Sequence, residues 1–266
     1  MKYIFLYIIS ASLFSVGAFA QIEGKEAIIL NKLYVAYGQS YNLKLDETYS
    51  RLPKNGFNHL FNLRYENQKN ARVMNFQGSF MIGTLKTKGN NINIINDYAG
   101  NLKFRYLKKI NNIDLSNLSV YVGGNLDFRA DAWFPQNAEL RYAWDINLGT
   151  GFSTSARYWI NTKLTLQYDF DISLIGVLWR SHNNGQQLIT EEIQLENGII
   201  ASAFETPRFS NVINTSYIDN SFNVFYSVSK QTNIYYNFAV SYRHIKQPLI
   251  KKGYEFNNTI GIVFNF

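Results

Sequence analysis

Residues 257–266 read NNTIGIVFNF and alternate without a break: Asn258, Ile260, Ile262, Phe264 and Phe266 share one parity, and Asn257, Thr259, Gly261, Val263 and Asn265 share the other. A period of two places these sets on opposite faces of a strand, one mainly apolar and one mainly polar. Continued backwards, the apolar parity takes in Phe256 and Tyr254. Rings therefore stand at the two ends of that face and aliphatic chains lie between them. A bilayer favours that order, since its interfaces suit aromatic rings and its centre suits aliphatic chains. The ten steps from Phe256 to Phe266 rise about 26 Å at ~3.4 Å per residue and ~40° tilt, enough to cross the apolar band.

The same period recurs along the chain, in segments 33–45, 57–66, 73–85, 91–106, 118–130, 138–160, 163–179, 221–228 and 233–245, which with the closing strand makes ten. In each, one parity is apolar: Leu33, Val35, Tyr37, Tyr41 and Leu43 in the first, Phe57, Phe61, Leu63 and Tyr65 in the second. Gly149 to Gly151 interrupt the long sixth segment and leave a turn open as an alternative there. Beyond residue 20 there is no apolar run of about 18 residues, so a spanning helix is not expected. A set of alternating strands crosses lipid only as a closed barrel, because hydrocarbon cannot satisfy an open sheet edge. The expected fold is all-β: a closed antiparallel transmembrane barrel of about 10 strands in one domain, residues 21–266.

Residues 1–20 carry Lys2, an apolar run and Ala18-Phe19-Ala20, the small-x-small spacing of a signal-peptidase site, so cleavage before Gln21 is expected. The chain has no cysteine, which excludes disulfides and thiolate metal sites, while Tyr and Phe number 19 and 20. Its formal net charge of +7, one less once Lys2 leaves with the leader, is spread out with no basic run, and nucleic acid is not an expected partner.

The leader ending AFA before Gln21, the period-two strands and the terminal GIVFNF resemble the outer-membrane β-barrel proteins of Gram-negative bacteria. The asparagine-rich, cysteine-free style is similar to small barrels of Bacteroidota. The resemblance implies an integral outer-membrane location, contact with outer-membrane lipid, and Phe264 and Phe266 as the aromatic end read by the barrel assembly machinery. It also implies an even strand number with both termini periplasmic. The one long connection, residues 181–217, then falls outside, and the periplasmic turns are short.

Membrane barrels that are enzymes make definite demands. Outer-membrane phospholipases and lipid A deacylases carry a His-x-Ser pair on one lipid-facing strand, so that the histidine activates the serine. Here His59 is followed on its own face by Phe61, His182 by Asn184 and His244 by Lys246, so the pair is missing. Ten-stranded outer-membrane proteases use acidic pairs with a histidine at the rim; Asp131 and Asp219 are expected near rims, without such a doublet and histidine. No metal-ligand spacing occurs, and no cofactor is expected. The expectation is a non-enzymatic barrel.

The inward parity is rich in charge of both signs. It includes Arg64, Arg105, Asp127, Arg129, Glu139, Arg141, Asp145, Arg157, Asp169, Asp171, Arg243 and Glu255. Neighbouring strands bring Arg157 beside Asp169 and Asp171, and Asp127 and Arg129 beside Glu139, Arg141 and Asp145. In a lumen little wider than that of eight strands, these groups should pair across the interior and plug it. A narrow charged, porin-like pore for small solutes is the alternative, since barrel filters also use charged side chains. The long connection carries Leu188, Ile189, Ile193, Leu195, Ile199, Ile200 and Phe204, more apolar surface than a solvated coil holds. It is expected to cap the lumen or to meet another outer-membrane or surface protein.

Overall fold

The structure is a computed structural model that describes residues 29–47, 50–87, 90–110, 117–136, 143–180, 207–246 and 250–266. The expected leader, Glu139, Arg141 and the seven apolar residues of the long connection lie outside the described residues.

The described residues form eleven strands: β1 (Ile29–Asp46), β2 (Ser50–Lys69), β3 (Arg72–Thr87), β4 (Asn90–Lys109), β5 (Leu118–Pro135), β6 (Ala143–Trp159), β7 (Leu164–Arg180), β8 (Arg208–Asn211), β9 (Thr215–Ser227), β10 (Thr232–Ile245) and β11 (Lys251–Asn265). Each long strand pairs antiparallel with its neighbours, and β1 pairs with β11 from Lys32↔Asn265 to Asp46↔Lys251, which closes ten strands into a barrel. Phe266 finishes the seam, its N–H and carbonyl bonded to the carbonyl and N–H of Asn31 at 3.0 and 3.1 Å. The chain thus enters and leaves the barrel at one end, called here the terminal end; the other is the far rim.

Within the sixth segment Ala143–Trp159 is one continuous strand, so Gly149 to Gly151 form no turn. They serve a bulge on the partner instead. The β6–β7 register shifts between Thr150 and Gly151 as β7 holds one extra residue, Leu174. A Cβ on Gly151 would come within 1.8 Å of the Ile172 carbonyl, so only glycine lets the two backbones approach there. Past its bulge β7 leaves β9 and pairs with the four-residue β8. The stretch 208–217, expected as part of the long connection, is therefore partly strand.

The strands also run further than the sequence pattern suggests. β2 and β4 hold 20 residues and β5 holds 18, against roughly 10 needed to cross a bilayer. Asp46, Asp131 and Lys251, expected in connections, are strand residues. Parity persists because the ladder continues above the lipid, where only the outward side chains change character. Towards the far rim the outward positions become Asn55, Lys86, Asn96 and Lys252.

The outside of the barrel is apolar and open. Val35, Phe61, Leu63, Phe76, Phe80, Leu102, Leu126, Ile260, Ile262 and Phe264 are all exposed. A continuous belt of this kind on a closed barrel is a lipid-facing wall. Conversely, the buried residues are mostly polar or charged.

Candidate functional site

The inward faces of the long strands other than β3 send charged side chains into the lumen, and they gather into two plugs. Each plug centres on one fully buried carboxylate. At the terminal end Glu66, on β2, accepts hydrogen bonds from Arg64 at 2.6 Å and Arg157 at 2.8 Å, with Lys32 3.7 Å away. Its level is set by register, since Glu66 lies opposite Lys32, next to the ring row of Tyr65 and Phe264. At the far rim Asp131, on β5, accepts from Lys44 at 3.2 Å, from Arg243 at 2.9 Å and from Lys251. Lys44 is opposite Gly253, beside the row of Leu43, Tyr254 and Tyr242. The plugs therefore stand at the levels of the two aromatic rows, with the middle of the membrane between them.

The far-rim plug continues outward from Asp131. Lys44 also donates to Asp97 at 3.0 Å, Asn58 donates to Asp97 at 2.6 Å, and Glu255 lies 3.6 Å from Lys44. Lys251 and Arg243 reach Asp145, and Arg180 bonds Asp46. Above these, Trp133 packs with Leu85, Ile95 and Ala143, and the ammonium groups of Lys251 and Lys54 sit 5.2 and 5.8 Å from its ring centroid. Val73, Leu107 and Tyr121 close the terminal end in the same way, with the Arg157 guanidinium 5.4 Å from the Tyr121 ring. Apolar lids keep water from separating the pairs, and buried ion pairs need such exclusion to hold their geometry.

A middle group links the plugs. Lys103 donates to Asp171 at 2.8 Å and to Asp219 at 2.6 Å; Arg129 bonds Asp127 and Asp219; Ser153 bonds Asp171. Arg129 and Arg243 both stack on the ring of Tyr217, at 4.9 and 5.4 Å. Asp169 accepts from Gln167 at 2.8 Å and from Asn223 at 3.3 Å. Among these groups lies a cavity of about 130 Å³, walled chiefly by β2 to β4 and β9 to β11, where small inward residues such as Ser79, Ala99, Ser221 and Ala239 leave room.

Partners are found both on neighbouring strands, as for Lys32 and Glu66, and across the lumen. Arg157 does not reach Asp169 or Asp171 but crosses the lumen to Glu66, 91 residues away, and Lys251 crosses to Asp131, 120 away. Long side chains in a narrow, tilted barrel meet opposite walls more readily than the adjacent strand, where like-facing Cβ atoms point in parallel. Lys44, Asp131, Lys251, Asp46, Arg180 and Asp219 belong to the network, although several of them lie beyond the alternating segments of the sequence. Continued inward parity past the lipid-crossing length is the signal that finds them. Asp219, expected near a rim, sits in the middle group.

His59 and His244 are on the outer wall. His59 Nδ1 is 2.6 Å from the Tyr37 hydroxyl, and the His244 ring lies 6.3 Å from that of Tyr242.

No known protein-family profile matches the sequence, and no curated relative matches it. Solved structures do. The outer-membrane protease OmpT of Escherichia coli superposes with a TM-score of 0.57 at 8% identity, over 92% of this chain and 99% of that one. The fold is that of an outer-membrane β-barrel. Weaker matches to this barrel are the translocator domain of the autotransporter NalP of Neisseria meningitidis (TM-score 0.42, 6% identity, 99% of this chain and 96% of that one) and the transport unit of the autotransporter AIDA-I of Escherichia coli (0.36, 7%, 97% and 97%). At such identities the likeness concerns the barrel's fold and carries no activity across to it.

Proposed function

We propose that this outer-membrane barrel is a non-conducting, non-enzymatic accessory protein whose lumen is shut by its two plugs and whose far rim presents loops to a partner in the envelope. The double plug is the observation that carries this reading. Glu66 and Asp131 side chains are fully buried, and the cations they hold are between 2 and 19% exposed. An ion entering this lumen would have to displace paired charges from both levels in turn. A transport path needs sites weak enough to leave as well as to enter, and these are neither. The outward position of His59 and His244, away from the lumen carboxylates among the described residues, supports a non-enzymatic role. The connection 181–217, with Leu188, Ile189, Ile193, Leu195, Ile199, Ile200 and Phe204, is the proposed contact for an outer-membrane or surface protein, and Phe264 with Phe266 the proposed assembly signal.

Planar-bilayer recording on refolded protein tests the reading. Silent membranes are expected from wild type. Steady single-channel steps would overturn it in favour of a small-solute channel.

A further inference from the structure

The cavity between the plugs is walled by five cations, Arg64, Lys103, Arg105, Arg129 and Arg243, and by three acids, Asp171, Asp219 and Glu255. Most of the cations are committed at hydrogen-bond distance to carboxylates. Arg105 is the exception. Its closest carboxylates, on Asp171 and Asp169, are 3.6 and 3.8 Å away, and Asp171 already accepts from Lys103 and Asp169 from Gln167 and Asn223. The Nε of Arg105 is buried and without a hydrogen-bond partner, and so is the Nε of Arg64. These two guanidinium groups are neighbours, since each brings an Nη1 to the same Asp169 oxygen, at 3.6 and 3.8 Å. Buried donors without acceptors are costly, and two adjacent guanidinium forks facing one cavity match a planar or tetrahedral oxyanion.

We infer that the mid-lumen cavity is a binding site for one small oxyanion of phosphate or carboxylate size, seated on Arg105 and Arg64. The cavity's size suits the ligand: about 130 Å³ holds a group of several heavy atoms but excludes a lipid headgroup with its chains. Amide oxygens complete the shell. Asn62 and Asn257 line the same space, and their Oδ1 atoms are buried without donors, so that rotation of either amide would let it accept from the protonated oxygen of hydrogen phosphate. Bound there, the anion would tie the terminal plug to the middle group. Entry from bulk would need one plug to open, so the anion is taken up as the barrel folds.

The barrel refolded in inorganic phosphate or in chloride, at equal ionic strength and pH, supplies the test. Phosphate is expected to raise the thermal midpoint by several degrees over chloride, because a ligand that binds only the folded state stabilises it by mass action. Phosphate carried through desalting of the refolded barrel should amount to one per barrel. Arg105→Gln, which breaks no close ion pair, should fold and lose at least about tenfold in affinity, the loss of one charge-assisted fork. Arg105→Lys keeps the charge without the fork and should fall between the two. Equal midpoints in phosphate and chloride would overturn the proposal, as would a phosphate effect undiminished in Arg105→Gln.

Discussion

The two ends of the lumen use one device with different balances. Each gathers three cations on a single buried acid, Glu66 at the terminal end and Asp131 at the far rim. Around Asp131, however, the cations have other acids in reach: Asp97 and Glu255 for Lys44, Asp145 for Arg243 and Lys251. Around Glu66 the second acid is Asp169, 3.6 Å from Arg64, and Lys32 and Arg157 pair with no other carboxylate among the described residues. The far-rim plug is therefore a meshwork and the terminal plug a hub. A meshwork survives the loss of a member, whereas a hub does not.

The largest expected effect follows from that difference. Glu66→Ala leaves the Arg64 and Arg157 guanidiniums buried without their carboxylate, and should cost about 3–5 kcal/mol, the range for breaking a buried pair. Denaturant unfolding of the refolded protein in detergent measures it. Asp131→Ala should cost less, about 1–3 kcal/mol, since Asp97 and Asp145 remain to accept from the freed cations and what is lost is hydrogen-bond satisfaction. Equal losses in the two variants would remove the distinction between hub and meshwork.

At the edge of the hub, Lys32 is 3.7 Å from Glu66 with its side chain 19% exposed. Lys32→Ala should change stability by less than about 1 kcal/mol, as expected for a partly solvated pair with two stronger competitors. A larger loss would mean that all three cations share the hub equally. Deletion of Phe266 removes one residue from the seam at this same end, two backbone bonds to Asn31 and one lipid-facing ring. Detergent refolding should change little, while the amount of assembled barrel in cells should fall clearly on heat-modifiability gels. Matching losses in both settings would assign Phe266 to simple stabilisation.

Much of the wall was legible in the sequence because side-chain direction in a strand is a local property. Val35, Phe61, Leu63, Phe264 and their companions face outward, and Lys44, Arg64, Arg105 and Asp171 face inward, on alternation alone. Ten barrel strands and their chain order follow from counting such segments. The reading stopped too early at the far rim, since the change to Asn55, Lys86 and Lys252 on the outer face resembles a loop when the ladder still runs on. β8 and the Leu174 bulge left no local signature beyond glycines at 149, 151 and 176, which serve close backbone approach as readily as a turn.

The sequence by itself determined which residues face lipid and which face the lumen. The tertiary structure alone decided which lumen charges meet. Whether Arg157 finds Asp169 or Glu66 depends on strand number, tilt and stagger, which set the distance across the barrel and the height of each side chain within it. Those quantities belong to the closed ring of ten strands and to no single one of them. Hence Lys251 and Asp131, 120 residues apart, form one contact, and the loosely held Arg105 beside an open cavity becomes visible only once the ring is shut.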